Sequence, residues 1–151
     1  MTTIAYKDGI IAYDSQQTAG DTITNNDAHK GVWIEGVFFV FSGAVSDFPR
    51  FVETYFGRAS GLKHVDCSAL IFDNGKLYRS GHDNESGIWK QEMDRTVPAA
   101  IGSGWHFAYA AMDCGLSAVD AVRAAAKRDA GTGGAVRYFD IETKNIVTAE
   151  N

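Results

Sequence analysis

Met1-Thr2-Thr3-Ile4-Ala5-Tyr6-Lys7-Asp8-Gly9-Ile10-Ile11-Ala12-Tyr13-Asp14 is the stretch whose reading decides the rest of the chain. Thr3 to Lys7 and Ile10 to Tyr13 are rich in β-branched and aromatic residues, and Asp8-Gly9 between them supplies the positive-φ positions of a two-residue hairpin turn. That turn sets Lys7 against Ile10 and Ala5 against Ala12, so Asp14 falls opposite Thr3 and beside Thr2. A carboxylate is therefore expected where the chain starts. With Met1 removed, Thr2 holds both a hydroxyl that can attack a carbonyl and an α-amine, of unperturbed pKa about 8, that can take the hydroxyl proton. A second residue as small as Thr suits a methionine aminopeptidase, so exposure of Thr2 is expected to need no propeptide. Taken alone, the tripeptide Met-Thr-Thr is no more than a strand start.

The 151 residues, 45% hydrophobic and 22% charged, have the make-up of one globular domain, 1–151, with a real core. A net charge of −5 and a pI near 5.2, without any Lys/Arg cluster, argue against nucleic acid as a partner. No apolar run approaches a membrane span, the longest being Phe107 to Met112, and the first residues lack the basic and apolar regions of a signal peptide. The expectation is a cytoplasmic protein without membrane contact. Cys67 and Cys114 form no CxxC and meet no His at metal-ligand spacing, which favours reduced thiols. His29, His64, His82 and His106 are scattered, and neither Gly102-Ser103-Gly104 nor Gly131 to Gly134 has the ending of a P-loop.

Beyond Asp14, the polar run Ser15 to Thr22 reads as a loop, and Thr22 to Asn26 and His29 to Val32 as short strands or turns. Val32 to Ile34 and Val37 to Phe41 make a second hairpin about Glu35-Gly36, its second arm apolar enough to be covered on both faces. Phe41-Ser42-Gly43-Ala44 ends that strand, and Val45 to Phe56 carries apolar residues at helical spacing. Such a junction leaves backbone N–H groups facing whatever lies there. Gly57 to Val65 reads as a loop, and Cys67 to Phe72 with Lys76 to Tyr78 as a third hairpin about Asn74-Gly75. Gly81 to Val97 gives no clear element. One helix follows Ser103 through Met112, and a second runs from the Ser117/Asp120 capping pattern to about Arg128. A strand Ala135 to Ile141 and an edge strand Asn145 to Thr148 close the chain. Strands and helices in separate runs favour an α+β fold over a doubly wound parallel sheet.

Set side by side, Thr2-Thr3-Ile4-Ala5, Asp14 with Thr18 and Gly20, Lys30, Ser42-Gly43 before a helix, Gly102-Ser103-Gly104 and Asp129-x-x-Thr132-Gly133 form an ordered set. In order and approximate spacing it resembles the proteasome-type N-terminal nucleophile hydrolases, most closely HslV-like peptidase subunits, over Thr2 to about Ile141. The resemblance implies a four-layer αββα sandwich, two antiparallel sheets flanked by helices. It implies Thr2 as nucleophile, Lys30 as the cation lowering the pKa of the Thr2 amine, and Asp14 as the partner that holds Lys30. Gly43 N–H would be the main oxyanion donor, with Ser103, Asp129 and Thr132 as a supporting shell. Substrate would lie extended along the backbone near Thr18 and Gly43.

By the same resemblance the substrate is a peptide or unfolded protein, and the subunits form a homo-oligomeric ring around Thr2. No cofactor is required; a structural monovalent or divalent cation would sit on the carbonyls of Ala126, Asp129 and Thr132. The alternatives are a catalytically silent scaffold subunit and a small-molecule amide hydrolase. The chain departs from the family pattern in a shorter first hairpin, a shorter Lys30 to Gly43 interval and a brief helix after Gly43. An ATPase partner is therefore allowed without being implied. Phe41 or Val45 is expected to line the primary specificity pocket, and small apolar substrate residues are expected there if Phe41 does.

Overall fold

A computed structural model describes residues 1–59 and 64–150. The expected loop from Gly57 to Val65 falls partly on 60–63, outside the described residues. The first hairpin forms as read, with β1 (Thr3–Lys7) and β2 (Ile10–Tyr13) in the register Lys7↔Ile10 and Ala5↔Ala12. Asp8 and Gly9 take the positive φ values of 51° and 81° that the tight turn needs.

The remaining strands are β3 (Gln17–Ala19), β4 (Thr22–Asn25), β5 (Gly31–Ile34), β6 (Val37–Gly43), β7 (Cys67–Asp73), β8 (Lys76–Asp83), β9 (Gly87–Glu92), β10 (Ala99–Gly102), β11 (Arg137–Asp140) and β12 (Ile146–Thr148). Among the described residues three helices, α1 (Phe48–Tyr55), α2 (Trp105–Asp113) and α3 (Ala118–Ala126), join them, and a 3-10 turn at Val45–Asp47 precedes α1. The described strands make three sheets, ordered β10-β1-β2-β11-β12, β3-β4 and β5-β6-β7-β8-β9. The class is α+β.

Alternation along the strands divides the core. Ile4, Tyr6, Ile11 and Tyr13 of the first sheet pack in one buried cluster with Phe38, Val40, Leu70 and Phe72 of the five-stranded β5–β9 sheet. On the other face of β1, β2 and β10, the small Ala5, Ala12 and Ala100 meet Ala108 and Met112 of α2 and Ala118, Ala121 and Val122 of α3. Alanine on both sides lets the helices lie close to the sheet. The alternate residues of β6 and β7, among them Phe39, Phe41, Ala69 and Ile71, pack with Phe51 and Val52 of α1.

Three readings of the sequence are corrected. Ser15 to Thr22 is not all loop, because Gln17–Ala19 pairs with β4. The unplaced Gly81 to Val97 holds the end of β8 and all of β9, which continue the third hairpin into a meander. The helix expected from Val45 begins as a tight turn and becomes α-helical at Phe48, with Pro49 in the first turn where its missing N–H costs nothing.

Candidate active site

The strand ends gather the site. Antiparallel pairing of Thr3 with Gly102 brings Ser103 alongside Thr2, and the end of β2 delivers Asp14 to the same place. Lys30 enters just before β5, its carbonyl accepting from the Phe41 N–H at 3.0 Å. Thr2, Asp14, Lys30 and Thr132 are buried, at 2%, 0%, 7% and 3% exposure. Buried polar side chains need partners: Thr2, Asp14 and Lys30 find one another, and Thr132 finds Thr3 and Asp129.

Lys30 Nζ donates to Asp14 Oδ1 at 2.9 Å, to Thr2 Oγ1 at 2.6 Å and to the Met1 carbonyl at 3.3 Å, which occupies all three of its hydrogens. Asp14 also accepts from the N–H groups of Thr3 (3.2 Å), Gln16 (3.3 Å) and Gly133 (2.9 Å). Burial pushes the Asp14 pKa above the usual carboxylate range, against the pull of Lys30 and of the Gly133 and Thr3 N–H groups. Burial likewise pushes Lys30 below the ordinary lysine value, against Asp14. Burial thus disfavours both charged forms, and the mutual attraction of the pair, with the backbone donors to Asp14, opposes it.

A second network adjoins the first. Thr132 Oγ1 donates to Asp129 Oδ2 at 2.6 Å, since a carboxylate only accepts, and its oxygen therefore accepts from Thr3 Oγ1 at 2.6 Å. Ser103 Oγ donates to the same Asp129 oxygen at 2.6 Å, close to the Thr2 carbonyl. Although burial pushes Asp129 up, these hydroxyls and the Gly131 N–H hold it below the usual carboxylate range. Gly102, at φ 95°, is needed here because a Cβ would strike the Thr2 carbonyl.

A cavity of about 340 Å³ opens beside Thr2 and Lys30, walled by Gln16 to Thr18 on one side and Gly43 to Ser46 on the other. Gly43 adopts φ 116°, and a Cβ there would strike the Asp66 carbonyl. Of the two residues expected in the specificity pocket, Val45 lines this cavity, with Ala28, His29 and Phe48. Phe41 does not; it is buried against Phe48 and lines a neighbouring groove. The condition on which small substrate residues were expected is thus not met. Of the three carbonyls named for a cation, that of Asp129 accepts the Thr132 N–H at 3.1 Å. No cluster of His, Cys, Asp and Glu suited to a metal occurs among the described residues.

No protein-family model matches the sequence, and no curated protein matches it. Solved structures do. Thiobacillus denitrificans BPH in complex with epoxomicin superposes with a TM-score of 0.67 at 18% identity, over 99% of both chains. A second structure of Thiobacillus denitrificans BPH gives 0.66 at 18% identity, over 99% of this chain and 98% of that one. The fold is proteasome-like.

Within this proteasome-like fold, several residues that support the ion pair escape sequence reasoning. Arg137 on β11, buried at 6% exposure, donates to Ser15 Oγ at 2.6 Å, to the Ala28 carbonyl at 3.3 Å and to Asp27. It thereby ties the segment after Asp14 to the segment before Lys30. Gln16 Nε2 donates to the Ala130 carbonyl at 2.8 Å, fixing the turn that presents the Gly133 N–H. A lone Arg in the last long strand carries no local signal of either role. Only its burial, which sequence alternation could have raised, points to it.

Proposed function

We propose that this chain, once Thr2 is its first residue, is a threonine-type peptidase. The observation that carries the reading is Lys30 Nζ, 2.6 Å from Thr2 Oγ1 and 2.9 Å from Asp14 Oδ1, at the wall of an open cavity. Thr2 Oγ attacks the substrate carbonyl while its proton passes to the Thr2 α-amine, whose basicity the Lys30 ammonium tunes. The oxyanion forms against the Gly43 N–H, the C–N bond breaks, and the amine returns the proton to the departing nitrogen. Water, deprotonated by the same amine, then cleaves the Thr2 ester and regenerates the hydroxyl. Ser103, Asp129 and Thr132 hold the amine, and an extended substrate pairs with the backbone near Thr18 and Gly43.

The clusters on both faces of the two larger sheets support a four-layer αββα sandwich, with α2 and α3 on one outer side and α1 on the other. Within the proteasome-type hydrolases the HslV-like subunits are the kin we favour, assembled as a homo-oligomeric ring that admits peptides or unfolded protein. The epoxomicin complex of BPH supports a protease reading of the same fold. Any cation on the carbonyls of Ala126, Asp129 and Thr132 would be structural, since no step calls on it.

A silent scaffold is the alternative if Met1 is kept. With Met1 attached, Thr2 Oγ1 donates to the Met1 carbonyl at 2.6 Å and the nitrogen that should act as base is an amide. The test is peptide turnover by protein beginning at Thr2. Thr2→Ala and Lys30→Ala are each expected to lower kcat/KM by about 10³ or more while circular dichroism is kept. Unchanged turnover in either variant would remove the mechanism, and cleavage of small acyl amides but no peptide would turn the reading to an amidase.

A further inference from the structure

A second cavity, of about 460 Å³, shares Met1 and Gly43 with the first. In the reaction above, the Thr2 amine must return a proton to the departing nitrogen, so the leaving half of the substrate lies on the side to which that amine points. The amine nitrogen is the one now bonded to Met1. Met1 lies against Gly131 beside Ser103, and Ser103 lines the second cavity but not the first. Facing backbone segments for an extended acyl chain, Gln17-Thr18 and Gly43 to Ser46, border the first cavity. The second is bordered instead by residues that include Asp66, Cys67 and Trp89.

Those side chains have a chemical preference. Trp89 pairs across the sheet with Gly81, and a Cβ on Gly81 would come within 2.6 Å of its indole. The missing side chain therefore lets the indole lie over the strand, where it stays 41% exposed as an aromatic platform. Asp66, exposed, also lines this cavity, together with His64 and His82. Burial first, and then the charges of Asp47 and Asp66, push the thiol of Cys67 in that lining up to about 12, so those two carboxylates act on this end of the cavity. An aromatic face with a carboxylate in the same cavity binds a cation better than a neutral or anionic group.

We propose that this second cavity receives the leaving half of the substrate and selects a cationic side chain, Lys or Arg, at the residue that follows the scissile bond. This rests on the threonine-peptidase reading. The test uses protein beginning at Thr2 and peptides differing only at that residue, Lys, Arg, norleucine or Glu, with the cut located by mass spectrometry. The kcat/KM ratio of Lys to norleucine is expected to be about tenfold, with Glu poorest. In Asp66→Asn and in Trp89→Ala that ratio is expected to fall toward one. A flat ratio in the unaltered protein, or one that neither variant moves, overturns the inference alone. Failure to cut any of the four peptides overturns the peptidase reading and the inference together.

Discussion

Asp14 and Lys30 are each buried almost completely, so neither charge is worth its desolvation without the other. Lys30→Met leaves the carboxylate unpaired and is expected to cost about 3–5 kcal/mol, whereas Asp14→Asn with Lys30→Met is expected to recover part of it, the Asn oxygen accepting from Gln16 and Gly133 while its NH2 meets the Thr3 N–H. Asp14 already has a pKa raised above its unfolded value by burial, and loss of Lys30 raises it further. A carboxyl so raised binds more protons folded than unfolded, and the stability it contributes is lost as pH rises through its folded pKa. Lys30→Met should therefore regain stability as the pH is lowered toward the ordinary carboxylate range. Urea unfolding of Lys30→Met, Asp14→Asn and the double variant across pH measures this, and simple addition of the two single losses would contradict it. The place of Asp14 beside Thr2 was legible in the sequence, because a two-residue turn leaves only one register. That of Lys30 was not: the chain between Asp14 and Lys30 has no period, and the lysine was singled out only by the family resemblance.

At the scale of elements, β11 acts at a distance through Arg137. Its guanidinium reaches Ser15, Ala28 and Asp27 at once, which a lysine's single ammonium does not match. Arg137→Lys is expected to lower thermal stability by the equivalent of about 1–3 kcal/mol and to reduce kcat, because the segment that carries Ala28 and leads to Lys30 is loosened. A variant with normal kcat would show that the clamp is dispensable. Elements themselves were legible where turn chemistry was explicit, at Asp8-Gly9, Glu35-Gly36 and Asn74-Gly75. β9 was hidden because Lys90, Gln91 and Glu92 are all exposed on an edge strand, so no apolar alternation marks it. β3 was hidden because three residues between polar neighbours carry no period at all.

For the whole molecule, the exposed area of 7788 Å² is close to the roughly 7,500 Å² usual for a monomer of 16.4 kDa. Any association would have to use particular patches, and Trp33, Trp105, Val97 and Ile23 are large apolar residues left in solvent. Light scattering at micromolar concentration is expected to give a mass several times that of one chain, and a monomer would count against the ring. No helix is long and apolar enough to cross a membrane among the described residues. The α+β class followed from the order of strands and helices, while the pairing of β10 with β1, which brings Ser103 to Thr2, is a long-range choice that no local pattern encodes.

Everything catalytic in this account passes through the nitrogen of Thr2. The most direct measurement compares peptide turnover by two preparations whose intact masses differ by one methionine, one beginning at Met1 and the other at Thr2. Turnover confined to the protein that begins at Thr2 is the result expected. Equal rates from both, or none from the protein that begins at Thr2, would contradict it.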